Sequence, residues 1–182
     1  MEGPDERPSI FYMEANMDIK IEKVCTDDEL KSIAVLANEI WHECFPGIIS
    51  EQQIDYMVEK FQSYDAMKAQ IGGQSYSYLG VYDGGELCGY IGIKPENDER
   101  FFLSKLYLRS DKRGQGIASV MLKRVFAEAE KAGKKTVYLT VNKHNDHAAD
   151  VYKKTGFTIK ALTVTDIGSG FVMDDYVMEY KL

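Results

Sequence analysis

The stretch Leu106-Tyr107-Leu108-Arg109-Ser110-Asp111-Lys112-Arg113-Gly114-Gln115-Gly116-Ile117-Ala118 limits what this chain can fold into more than any other. An apolar strand runs into a basic, glycine-rich turn, and the turn opens directly into a helix. That helix is read from Ala118, Met121, Leu122, Val125, Phe126 and Ala129, which share one face at i, i+3, i+4, i+7 spacing. Its first turn presents unpaired backbone N–H groups and the positive end of the helix dipole. Gly114 and Gly116 remove side chains that would hold an anion away from that backbone, and Lys112 and Arg113 add positive charge beside it. Physics alone therefore points to a phosphate or pyrophosphate cradle, with a solvated glycine-rich turn as the alternative.

The loop lacks the Gly-Lys-Ser/Thr ending of a P-loop and the third glycine of a dinucleotide GxGxxG. Arg113, Gly116 and Ala118 instead match the pattern Arg/Gln-x-x-Gly-x-Gly/Ala. Downstream, Asn145, Ala148, Tyr152, Gly156 and Phe157 fit Asn-x-x-Ala-x-x-x-Tyr-x-x-x-Gly-Phe, preceded by an apolar strand from Val137 to Val141. With these two motifs in this order, residues 18–182 resemble the GCN5-related N-acetyltransferases. The resemblance implies an α/β (α+β) fold with a central mixed, mostly antiparallel sheet of about seven strands, about four flanking helices and a splayed acetyl-CoA cleft.

The same resemblance implies the roles of particular residues. Arg113, Gly114, Gln115, Gly116, Ile117 and Ala118 would hold the pyrophosphate of acetyl-CoA. The backbone of Leu106, Tyr107 and Leu108 would pair with the pantetheine arm as an added strand. Asn145 would reach that arm as well as cap the helix carrying Tyr152. Tyr152 stands at the position of the general acid that protonates the departing thiolate, and a phenol with a pKa of about 10 is protonated at neutral pH. Taken alone, Tyr152 reads more readily as a half-buried residue covering the sheet, a commoner role than catalysis.

The acceptor amine, with a pKa near 10, must lose a proton before it attacks. Glu43 is the base candidate, alongside Glu39, Glu51, Asp55, His42 and Ser104. Trp41, His42 and Glu43 at the end of the first helix, and Asp174 and Asp175 near the last strand, are the candidate acceptor-binding residues. Trp41 also fits a core position, and the two aspartates also fit an exposed strand start. Met173-Asp174-Asp175 echoes the bacterial branch of the family that includes spermidine/spermine acetyltransferases. A net charge of −7 agrees with a cationic acceptor, so the favoured function is transfer of acetyl to a small primary amine, a polyamine or other cationic amine first. The alternatives are a peptide or protein acetyltransferase and a non-catalytic acyl-CoA-binding sensor.

The negative balance gives no electrostatic footprint for nucleic acid. Cys25, Cys44 and Cys88 read as reduced packing residues, and no spacing joins them to His42, His144 or His147 as a metal site. No apolar run approaches the ~18 residues of a membrane span, and no signal peptide is read, so a cytoplasmic location is expected. Residues 1–17 are expected to be a flexible tail and 18–182 a single domain. A homodimer is left open, since Tyr176 and Tyr180 suit either an interface or the core.

In chain order, Ile19 to Val24 alternates as a strand, and Thr26 with Glu29 forms a capping box for a helix ending before Pro46-Gly47. Ser50 and Gln53 suggest a second box, opening a helix through Phe61. Gly72-Gly73 closes the helical region. Strands at Tyr76–Tyr82 and Leu87–Ile93 flank the hairpin signal Asp83-Gly84-Gly85. Phe101–Leu108 then feeds the loop, and Phe157–Val164 and Phe171–Tyr180 complete the sheet.

Overall fold

A computed structural model describes residues 18–182. The expectation of a flexible tail falls on residues 1–17 and lies outside the described residues.

Among the described residues seven strands form one sheet: β1 (Ile19–Lys23), β2 (Ser77–Asp83), β3 (Glu86–Pro95), β4 (Arg100–Leu108), β5 (Thr136–Asn142), β6 (Thr158–Gly168) and β7 (Phe171–Lys181). Their spatial order is β1-β2-β3-β4-β5-β7-β6. Every neighbouring pair is antiparallel except β4 and β5, which run parallel. That parallel pair is joined through only three residue pairs, Arg100 with Thr136, Phe101 with Val137 and Phe102 with Tyr138. Past Phe102 the two strands part.

Among the described residues five α-helices flank the sheet: α1 (Asp27–Cys44), α2 (Glu51–Met57), α3 (Tyr64–Gly73), α4 (Ile117–Lys131) and α5 (Asp146–Lys154). The α1 capping box forms as read, with Thr26 Oγ1 accepting from Glu29 N–H while Glu29 accepts from Thr26 N–H. Only half of the second box forms. Ser50 accepts from Gln53 N–H, but the Gln53 amide turns inward and donates to the Val172 carbonyl on β7 at 2.8 Å. The helical region divides once more than expected. After a π-helical turn over Val58–Gln62, Ser63 takes an extended conformation and caps α3 through Ala66 N–H.

The core has two faces. On one, α4 and α5 cover Leu79, Ile91, Leu103, Leu108, Leu139 and Met178 with Met121, Leu122, Val125 and Ala149. Tyr180 packs here, its ring 4.2 Å from that of Phe126, and Tyr176 lies against the same cluster. On the other face α1 and α3 bury Ile33, Ala37, Ile40 and Met67 on Tyr78 and Tyr90. Trp41, Phe45, Ile54 and Met57 extend that face beneath the end of β7. Among the described residues no helix is long and apolar enough to cross a membrane.

Candidate active site

The divergence of β4 and β5 opens a cleft of about 1720 Å³ through the middle of the molecule. Its walls come from Phe102–Leu108 on β4, Thr140–Asn142 on β5, the α4 and α5 N-termini, and parts of α1, α3 and β7. One edge of β4 faces this space. Arg109 N–H bonds to the Cys88 carbonyl of β3, so by antiparallel alternation Leu106 and Leu108 turn their N–H and C=O groups to the cleft. They are two of the three residues assigned from sequence to an added strand; Tyr107 between them turns its backbone groups to β3, opposite Tyr90.

At one mouth of the cleft stands the N-terminus of α4. Gly116 is its N-cap, with φ of 86°, a left-handed conformation that a side chain strains. No side chain caps this helix and no acid occupies its first turn, so its leading amides remain available to an anion. Gly114 and Ala118 line the cleft here, whereas Ile117 is buried in the core and Gln115 is exposed, its amide donating to the Asp111 carbonyl.

The basic side chains of the loop are arranged differently from the sequence expectation. Lys112 pairs with Asp83 at 2.7 Å, and Arg109 spans Glu86 and Asp111. Such surface pairs are screened by solvent, so they shape the loop more than they stabilise the fold. Arg113 turns inward: its Nε donates to the Leu108 carbonyl at 3.0 Å and its Nη2 to Cys44 Sγ at 2.8 Å. Burial raises the Cys44 thiol pKa although Arg113 opposes it, which leaves a thiol and not a thiolate beside the cleft. The anion cradle thus rests on backbone amides.

Across the cleft, Asn145 caps α5 by accepting from Ala148 N–H at 3.2 Å. About two turns later Tyr152 projects into the space, its ring edge-on to Phe157 at 5.6 Å. No hydrogen bond within the described residues engages its hydroxyl. Burial lifts its pKa well above the ordinary value, so the phenol carries its proton at any working pH.

The acceptor-site candidates separate. Trp41 is buried, stacks on Phe45 at 4.2 Å and leans over Tyr107 at 5.6 Å; all three rings line the cleft. His42 and Glu43 stand exposed outside that lining. The His42 ring is held between Asp55 and the Asn38 carbonyl, which raise its pKa and favour the protonated ring over the free base. Glu39 and Glu51 are likewise exposed and outside the lining. Asp174 is paired with Lys143. Asp175 alone of the proposed acids reaches the cleft: it is 7% exposed, and its Oδ1 has no hydrogen-bond partner. Burial first, then the Asp174 charge, pushes its pKa up to about 6, with the Thr140 hydroxyl opposing.

Sequence reasoning overlooked Lys105. It is 4% exposed, lines the cleft from β4 and donates to Gln70 Oε1 of α3 at 2.9 Å. Burial alone lowers its pKa to about 7. The signal available was a lone lysine within the otherwise apolar run Phe101-Phe102-Leu103-Ser104-Lys105-Leu106-Tyr107-Leu108. Ser104, next to it, falls at the irregularity in β3–β4 pairing and accepts from the Tyr76 hydroxyl at 3.1 Å. Together the cleft offers an anion-binding helix end, a free strand edge, a protonated phenol and a carboxylate that titrates near neutrality. Those are the parts for moving an acyl group from a phosphate-bearing thioester to an amine.

Comparison with known proteins agrees with this geometry. The sequence profile of the acetyltransferase (GNAT) family matches residues 35–157. An uncharacterized N-acetyltransferase of Mycobacterium bovis is 36% identical over 98 residues, 54% of this chain. The match spans 62% of that relative's length. A spermidine N(1)-acetyltransferase of Thermoplasma acidophilum is 28% identical over 162 residues, covering 87% of this chain and 97% of the relative. The crystal structure of the PaiA N-acetyltransferase of the same organism, in complex with coenzyme A, superposes with a TM-score of 0.76 at 24% identity. It covers 91% of this chain and 100% of that one, a likeness of fold.

Proposed function

The chain belongs to the acetyltransferase (GNAT) family, and from that premise we propose that it transfers acetyl from acetyl-CoA directly to a small primary amine. The observation that carries this reading is the cleft itself, where the free edge of β4, the uncapped end of α4, Tyr152 and Asp175 meet.

In this reading the α4 amides hold the pyrophosphate, and the Leu106 and Leu108 backbone groups align the pantetheine arm. The acceptor arrives as an ammonium ion and gives a proton to Asp175, directly or through water. Its nitrogen then attacks the thioester carbonyl carbon, a C–N bond forms and the C–S bond breaks. The sulfur departs with the electron pair, the Tyr152 hydroxyl supplies its proton, and the second nitrogen proton, lost as the amide forms, returns to the Tyr152 phenolate through water. Asp175 replaces Glu43 as the base because it lines the cleft and Glu43 does not. Asn145 spends its Oδ1 on the α5 cap and lines the cleft, so its side-chain N–H is the group proposed to meet the same arm.

A polyamine acceptor is supported by the name of the Thermoplasma relative, by the buried Asp175 and by the net charge of −7. The test is a thiol-release assay with acetyl-CoA and a panel of diamines, polyamines, amino acids and short peptides. Turnover with free amines supports the reading. Acetyl-CoA binding without release to any amine would sink it in favour of a sensor, and turnover confined to peptides would favour a protein acetyltransferase.

A further inference from the structure

The wall formed by α3, the segment before β2 and the middle of β4 carries a charge the transfer chemistry leaves unused. Lys105 is the buried cation of this wall, and its surroundings are shaped for it. Opposite it on β3 is Gly92, where a Cβ would lie 3.0–3.1 Å from the Lys105 side-chain carbons, so the missing side chain gives the lysine stem its room. Its ammonium lies 5.0 Å from the centre of the Tyr76 ring and 5.3 Å from that of Tyr78, and Gln70 accepts one of its hydrogens. Among the described residues no carboxylate pairs with it. The acids of the cleft lining are Asp146 and Asp175, on α5 and β7. Glu96, beyond Tyr76, is taken by Tyr138 and Arg100.

A buried ammonium without a counter-charge is costly to the fold and has hydrogens to spare. Ser104 adds a hydroxyl beside it, and Gln74 a side-chain amide, on the same lining. A polyamine would bring a further ammonium to this wall, where Lys105 repels it and nothing acidic receives it. A carboxylate would find a charge-assisted partner. Lys105 and Tyr107 lie on one face of β4, roughly 7 Å apart by strand rise, and Tyr107 in turn lies within electrostatic reach of Tyr152 and Asp175. The wall is therefore within the span of one small molecule from the reacting centre.

We propose that the acceptor is an amino acid, its amine directed to the thioester and its carboxylate received by Lys105, with Ser104 beside it. This rests on the reading above that the chain acetylates a small primary amine, and it sets an amino acid in place of the polyamine that the relative's name and the net charge support.

The test uses matched acceptors that differ only in the carboxylate: L-lysine against cadaverine and L-ornithine against putrescine, each with acetyl-CoA and the full-length chain. The amino acids are expected to exceed the diamines at least tenfold in kcat/KM. Lys105→Met should collapse that ratio to near one, chiefly by raising KM for the amino acid, and Lys105→Arg should restore part of it. A wild-type preference for the diamines, or none, overturns the inference while leaving amine transfer intact. So does a preference that survives in Lys105→Met. Should that variant fail to fold, the wild-type ratios and Lys105→Arg still decide. Absence of transfer to all four amines and to the wider panel would instead overturn the functional reading beneath.

Discussion

Asp175 and Tyr152 face one cleft, and burial acts on both by disfavouring the charged form. For Tyr152 that preserves a proton donor. Tyr152→Phe is expected to lower kcat at least about 100-fold, within the usual range for a lost general acid, with CoA affinity by calorimetry changed less than about threefold. For Asp175, the carboxylate must be ionised to accept a proton, so kcat/KM should fall as pH drops through about 6. Asp175→Asn should lower kcat/KM and remove that limb from the pH profile. Its effect on stability has the opposite sign. The folded-state pKa lies above the ordinary value of 3.8, so the folded chain prefers the protonated acid. The stability associated with that proton is present below about 4 and lost as pH rises through about 6. At pH 7 the wild type therefore carries the cost of a buried charge. Asp175→Asn should gain about 1 kcal/mol there, a rise of about 2–4 °C in Tm by calorimetry, and the gain should shrink toward pH 4.

Elements built on local rules were legible in the sequence. The strand–turn–helix into α4, the Thr26 box and the Asn145 cap each depend on residues within a few positions, and each stands where the pattern put it. The break between α2 and α3 escaped because Ser63 caps without a glutamate at the third helical position, leaving half the usual signature. The acceptor wall was the least legible part. His42 and Glu43 lie off the apolar stripe of α1, which marks them as polar but cannot say that the stripe itself, through Trp41, Cys44 and Phe45, forms the cleft. Lys105 is buried because Gly92, on another strand, leaves space for it, a relation no local pattern contains. At this scale the sharpest test is the α4 cap. Gly116→Ala adds a side chain at φ of 86°, so a loss of about 1 kcal/mol in urea unfolding is expected, and a CoA dissociation constant raised about tenfold as the amides shift. Unchanged CoA binding would remove the α4 end from the site.

Across the whole molecule, charge is distributed so that fold and site make different demands. The turn before α4 neutralises Arg109 and Lys112 with nearby acids and sends Arg113 inward, while the two buried charged residues among the described residues, Lys105 and Asp175, stand without a counter-charge and both face the cleft. Each lowers stability where it stands, and each is available to a ligand. The tenuous joint between β4 and β5 has its own consequence. With three residue pairs spanning it, the sheet is two half-sheets sharing a hinge, and the amides of Leu106 and Leu108 belong to neither ladder. In heavy water those two protons should be replaced by deuterium much sooner than their neighbours on β3, and addition of CoA should slow them at least tenfold. A bound pantetheine arm would then be the missing strand, and the two half-sheets would open and close as a single unit only while it is in place.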